Sequence, residues 1–533
     1  MATYEPKNHA SITSAGSTPL QEQDNRRLQQ MGKKSLLKHS SRGLIPHFLS
    51  ENFGIVSIFG SSCTLLGTWE GLLGTFIRPL ENGGPGGTVY AFVFAWVGTT
   101  AIFVVLSELI SMHVRAPTAG GQYHWAAMLA LIRYQKFLSY ITGWWAVLGW
   151  QTALAVCVFM TGTMIQDAVI LGNSLYKLLS WQGTLVVWAT LICALLVNLV
   201  GGKLLPRIGS VLLVVYILGF FSIMILLICL SDHKPKEEVF LQFFNSGGFS
   251  TQALSWFVGM TSCAFGFVGG DAAVHMSEEV ANVSRIIPHA LIFSVLLNGC
   301  LGFGMLIAIL FCAGNLKGVL SSTTGSPFME IIYKATSSLP GSLFMCSILI
   351  IIYCCSLMGL LAAVSRQLWS FSRDRGVPGW RWWSQISSFQ ELPVQSIILT
   401  VVVSAMLALI NIGSSVALDA IVSMAVSALY LFYLMVLILL LYRCIRGDIS
   451  LYNHSGDDVV NAPGAKLAWG PFQCPGVWGI AINAFAIVYI MIMHPSVRSM
   501  NWSVLGTGGS SFLAVGYYFA RARHIYTGPI REL

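Results

Sequence analysis

Two stretches decide the fold: Thr64-Leu-Leu-Gly-Thr-Trp-Glu-Gly-Leu-Leu-Gly74 and Phe265-Gly-Phe-Val-Gly-Gly-Asp-Ala-Ala-Val-His275. Each sits inside an apolar run long enough to cross a bilayer, and each carries glycines and one acid at mid-run. A carboxylate at that depth is costly and should face a cavity or a partner. Glycine loosens the helical backbone there and allows close approach. Unwound backbone survives in a membrane only where protein buries it or where it lines a cavity. The two stretches therefore read as two broken spanning helices.

Working outward, apolar runs fall at about 52–79, 87–112, 137–166, 183–201, 206–230, 252–279, 287–313, 341–370, 394–412, 416–443, 475–494 and 502–521. A helical span needs roughly 20 apolar residues, so the expectation is an all-α integral membrane protein with 12 transmembrane helices. Composition agrees. Of the 533 residues, 55% are hydrophobic and only 10% charged, against about 25% charged in a soluble domain. That excludes a water-soluble enzyme, and it excludes disorder for most of the chain. A β-barrel would show short alternating strands, not unbroken apolar runs.

The net charge of +8 reads as an orientation signal, with no nucleic-acid partner. With both termini in the cytosol, 23 basic residues fall on the inner side and seven on the outer side, which is the bias that orients membrane helices. The expected organisation is a disordered cytosolic tail at 1–50, a membrane core at 51–443, a cytosolic loop at 444–474, helices 11 and 12 at 475–521 and a cytosolic tail at 522–533. A tight turn is expected at 80–86. No cleavable signal peptide is visible in the polar first 50 residues. The twelve cysteines read as reduced small residues, not disulfides or metal ligands. Asn501-Trp-Ser503 is the one sequon on the expected outer side, but it lies so close to span 12 that it is a poor glycan acceptor. Asn282 and Asn453 begin sequons that face inward.

The broken spans are the first and the sixth, so they enter from opposite faces. That is the trace of an inverted repeat of five plus five helices, with spans 11 and 12 outside it. Half-helix N-termini favour anions and free carbonyls favour cations, and a zwitterion needs both. The candidate substrate-binding residues are Gly67, Thr68, Trp69, Glu70, Phe265, Phe267, Gly269, Gly270 and Asp271. Each has a plainer reading. The glycines could serve helix packing alone. Trp69, Phe265 and Phe267 could face an ammonium group or belong to the core. Glu70 could bind the substrate or lie solvated near the outer surface. Asp271 could bind or could cap the second half-helix. His275 could carry a proton or be a hydrogen-bonded structural residue.

A second set marks the inner ends. Pro117-Thr-Ala-Gly-Gly-Gln-Tyr-His-Trp125 follows span 2, Ser277-Glu-Glu-Val-Ala-Asn282 ends span 6, and Ser372-Arg-Asp-Arg-Gly-Val-Pro378 follows span 8. Glu278, Glu279, Arg373 and Arg375 are candidate gate residues, as salt bridges that open and close or as static surface pairs. Glu108, near the inner end of span 2, is expected to pair with a base at the same gate.

Three of these segments resemble the amino acid/choline transporter family of the amino acid–polyamine–organocation superfamily, which includes fungal permeases for γ-aminobutyrate (GABA) and choline. They are Thr68-Trp69-Glu70 with Gly83-Gly-Pro85, the string from Pro117 to Trp125, and Phe267 to Asn282. The loop Arg373 to Pro378 is a weaker fourth, and the resemblance covers about residues 50–525. It implies a leucine-transporter-type fold with substrate held between spans 1, 3, 6, 8 and 10. Many superfamily members carry a lysine in span 5 where sodium-driven relatives bind an ion; span 5 here has none inside it, and Tyr216 is its most notable polar residue. The expected function is a secondary permease for amino acids or small amines in a lipid bilayer, with a coupled proton as an open second partner and no cofactor or metal. Plasma membrane is the expected location, vacuolar membrane the alternative. A non-transporting nutrient receptor of the same fold is the rival. A membrane protease is disfavoured, since Val268-Gly-Gly-Asp271 lacks the first glycine of the Gly-x-Gly-Asp motif and no Tyr-Asp pair supplies a second acid.

Overall fold

The computed structural model describes residues 55–75, 77–113, 119–173, 179–200, 205–280, 283–314, 326–387, 392–410, 417–451, 467–474, 476–493 and 503–529. The tail 1–50, Pro117, Asn282, Asn453, Asn501 and residues 452–466 of the loop 444–474 lie outside them, as does the side chain of Glu279.

Every apolar run contains a helix. The first half consists of α1 (Ile55–Leu66), α2 (Thr68–Thr75), α3 (Ile77–His113), α4 (Gln122–Leu129), α5 (Gln135–Gly172), α6 (Ser180–Val200) and α7 (Leu205–Leu230). After the short α8 (Lys236–Phe240) come α9 (Gln252–Phe265), α10 (Ala272–His275), a 3₁₀ turn (Ser277–Glu279), α11 (Val283–Cys312), α12 (Pro327–Thr336), α13 (Leu339–Arg373), α14 (Trp380–Trp383), α15 (Val394–Ala408) and α16 (Ala417–Arg446). The chain closes with α17 (Gly476–Met493), α18 (Ser503–Tyr517), a π turn (Tyr518–Ala522) and α19 (Arg523–Ile525). Among the described residues, eight helices are long and apolar enough to cross a membrane, and α15 is a shorter apolar helix. The protein is a multi-pass integral membrane protein.

The stretch 80–86, expected as a tight turn, holds a kink: Gly84 takes the non-helical φ 69° and ψ −176° before Pro85, so the range Ile77–His113 is two helices that meet there. The polar stretch 444–474 is not wholly loop: β1 (Ile449–Ser450) pairs in parallel with β2 (Leu467–Ala468).

Packing follows the small residues, as expected where lipid offers no hydrophobic drive between helices. A Cβ on Gly98 would meet the Tyr489 ring at 2.2 Å, one on Gly143 the Phe371 ring at 2.3 Å, and one on Gly299 the Trp96 ring at 1.9 Å. Glycine thus lets α3 seat against α17 and α11, and α5 against α13. Outward faces carry exposed Val97, Leu196, Leu218, Ile351 and Phe512, a surface suited to acyl chains. The C-terminal end folds back onto the bundle: Tyr526 is fully buried and its hydroxyl lies 2.6 Å from the Ser139 hydroxyl.

Candidate functional site

The first break is one residue long. Gly67 takes φ 53° between α1 and α2, a left-handed value that L side chains avoid. The polar groups freed there are met from three other helices. Asn298 of α11 uses its whole carboxamide: Nδ2 donates to the Cys63 and Ser294 carbonyls, both at 3.0 Å, while Oδ1 accepts from the Thr68 amide at 3.1 Å and from the Tyr216 hydroxyl of α7 at 2.6 Å. From α13, Tyr353 donates to the Glu70 carbonyl at 2.7 Å and Ser356 to the Thr64 carbonyl at 3.0 Å.

The second break runs from Gly266 to Asp271, with Gly269 at φ 117°. It lies directly on the first. A Cβ on Gly269 would come within 2.7 Å of the Leu65 carbonyl, so only glycine fits that approach. Ser62 of α1 donates to the Gly270 carbonyl at 3.3 Å. A cavity of about 30 Å³ beside the first break is lined by Ser61, Thr64, Ser356 and Gly359, among others.

The candidate binding residues divide. Gly67, Thr68, Glu70, Gly269 and Gly270 gather where the breaks meet. Glu70 is 2% exposed, so the solvated reading fails. Its Oε1 sits where a side chain on Gly67 would go, 2.8 Å from that Cβ position, and its Oε2 has no hydrogen-bond partner. Trp69 turns away from an open wall: it is fully buried, with Tyr216 at 5.5 Å and Phe220 at 5.9 Å between ring centroids. Phe267 packs on Phe92 at 5.1 Å, and Phe265 is also buried.

Asp271 does not cap α10, since its side chain makes no hydrogen bond to the helix amides. It accepts instead from Gln122 Nε2 at 2.7 Å and from the Tyr433 hydroxyl at 2.6 Å. That ties the second break to α4 and α16. His275 bonds the Ala119 carbonyl through Nδ1 at 2.9 Å, while Nε2 has no partner.

At the end of the bundle carrying α4, one acid–base pair forms among the four candidate residues. Arg373 holds Glu278 with two hydrogen bonds, 2.9 and 3.4 Å, and its guanidinium lies 4.4 Å from the Trp369 ring centroid. The Ala119 amide also donates to Glu278 at 3.0 Å. Arg375 instead stacks on Trp380 at 4.9 Å, held by a left-handed φ of 66° that swings it off the helix axis. Glu108 departs from expectation: its partner is the Cys474 amide at 2.6 Å, so it caps the approach to α17 and pairs with no base among the described residues. The acid after Arg373 was passed over in the sequence. Asp374 is fully buried and accepts from Tyr123 and His124, both at 2.8 Å.

Asn298, Tyr353, Ser356, Gln122 and Tyr433 were likewise missed. Asn298 left a usable signal, a lone carboxamide inside an apolar run, where a polar side chain seldom stands without a partner.

A helical membrane protein with two abutting broken helices and a buried acid between them defines a permease-like class. Comparison with known proteins gives the particular family. The amino acid permease family matches residues 53–512, and the chain belongs to it. It is 30% identical to the choline transporter of Saccharomyces cerevisiae over 74% of this chain and 70% of that protein. The GABA-specific permease of the same yeast is 26% identical over 96% and 86%. The amino-acid permease BAT1 of Arabidopsis thaliana is 24% identical over 97% and 98%. The chain is accordingly a membrane permease of the class that transports amino acids or amines.

Proposed function

We propose that the chain is a secondary active transporter of amino acids or small amines, such as GABA, choline or a related precursor or product, working by alternating access. In this reading twelve helices span the bilayer, a five-plus-five inverted repeat of the leucine-transporter type forms the core, and α17 and α18 stand outside it. The observation that carries the reading is Glu70: a buried carboxylate at the meeting point of two broken helices, with one oxygen lacking a partner. A buried charge must be paired, and the substrate amine or a coupled proton would pair this one. The neighbouring cavity of about 30 Å³ holds about one water, so substrate access requires the helices to part.

Charge bias supports both termini inside and α4 on the cytosolic face, most simply at the plasma membrane. The Glu278–Arg373 pair then serves as the inner gate, with Glu279, Arg375 and Glu108 as flanking residues. Accumulation of radiolabelled amines and amino acids in cells expressing the protein, normalised to surface protein, tests the reading. Saturable uptake supports it; binding without accumulation would mean a receptor.

A further inference from the structure

The breaks carry one feature that bears on substrate class. A half-helix N-terminus ordinarily offers free amides to an anion. At α2 the first of those amides is taken. Asn298 Oδ1 accepts from the Thr68 amide at 3.1 Å and from the Tyr216 hydroxyl at 2.6 Å. A protein acceptor thus occupies the start of the first turn, with the Glu70 carboxyl group beside it over Gly67. What remains without a partner is Glu70 Oε2, together with the Thr68 hydroxyl, both buried. No base pairs with Glu70 among the described residues.

We propose that the site selects cationic amines without a carboxylate, with Glu70 as their counter-ion, and that it disfavours zwitterionic amino acids. The proposal rests on the transporter reading and narrows it. A substrate carboxylate would have to displace Asn298 from the Thr68 amide and would lie against Glu70. An alkylammonium group meets the unpartnered oxygen directly.

The test uses pairs matched in size: choline against glycine betaine, and butylamine against GABA. Purified protein is assayed twice, by competition for bound radiolabelled choline and by uptake into proteoliposomes. Each carboxylate-free member should compete at least tenfold better than its partner, and Glu70→Gln should weaken choline binding at least tenfold while thermal unfolding shows the variant folded. Asn298→Ala frees the Thr68 amide and should narrow the gap between butylamine and GABA. Equal or better competition by the carboxylates overturns the proposal, whether or not uptake occurs. Selective amine binding without uptake supports the site's preference and removes the transport reading. Uptake of GABA ahead of butylamine does the reverse.

Discussion

At the residue scale the charged and aromatic side chains of the breaks separate by what they touch. Trp69 is enclosed by Tyr216 and Phe220, so Trp69→Ala should act as a core truncation. The expected cost is about 3–5 kcal/mol, read as a lower unfolding temperature and less protein at the surface. Normal stability with weakened substrate affinity would return the ring to the substrate wall. Asp271 accepts two hydrogen bonds from buried donors. Asparagine has only one side-chain acceptor, so Asp271→Asn strands one donor at about 1–3 kcal/mol, visible in thermal unfolding of detergent-solubilised protein. A variant as stable as wild type would mean that Gln122 or Tyr433 finds another partner. Both outcomes differ from what the sequence alone suggested. Trp69 was legible as an aromatic beside an acid, but nothing in the local pattern tells which helix its ring meets. Asp271 beside a predicted half-helix looks like a cap in sequence; the competing acceptor geometry comes from Gln122 and Tyr433, 149 and 162 residues away.

At the element scale the breaks were readable because glycines and an acid interrupt an apolar run. Their repair was not, because it comes from α7, α11 and α13. Asn298 satisfies groups on both sides of Gly67, so it sets the geometry of the break. Asn298→Asp keeps the shape but loses both donors to Cys63 and Ser294. Transport should fall at least tenfold, about 1.4 kcal/mol, at near-normal surface level, whereas an unchanged rate would show that the break holds itself. The pair between the turn Ser277–Glu279 and α13 makes a second element-scale case. Arg373 and Glu278 are nearly buried, at 9% and 3% side-chain exposure. Removing one partner of a buried pair costs about 3–5 kcal/mol. Glu278→Gln should therefore loosen the contact between the second break and α13, measured as faster hydrogen exchange at residues 272–280. Unchanged exchange would make the pair a passive surface contact. Charge spacing alone suggested both Arg373 and Arg375 for the gate; the left-handed φ of Arg375 separates them, and no residue pattern announces that angle.

At the scale of the whole molecule, composition and hydropathy were enough for a polytopic helical protein, since 10% charged residues cannot cover a soluble surface. Charge placement further predicts that reporters at both ends read cytosolic, and an extracellular signal from either end contradicts that topology. The fold back of Tyr526 against Ser139 was invisible to hydropathy, because a tyrosine beyond the last span has the composition of a tail. The central claim is that substrate crosses between the two broken helices at Glu70. It is tested most directly by uptake of labelled choline and GABA into proteoliposomes at several pH values, comparing wild type with Glu70→Gln at equal reconstituted protein. The account predicts saturable uptake by wild type, with choline ahead of GABA, and at least a tenfold loss of choline uptake in the variant, with a flattened pH profile if Glu70 also carries a proton. Equal rates and equal pH profiles in the two proteins would contradict it.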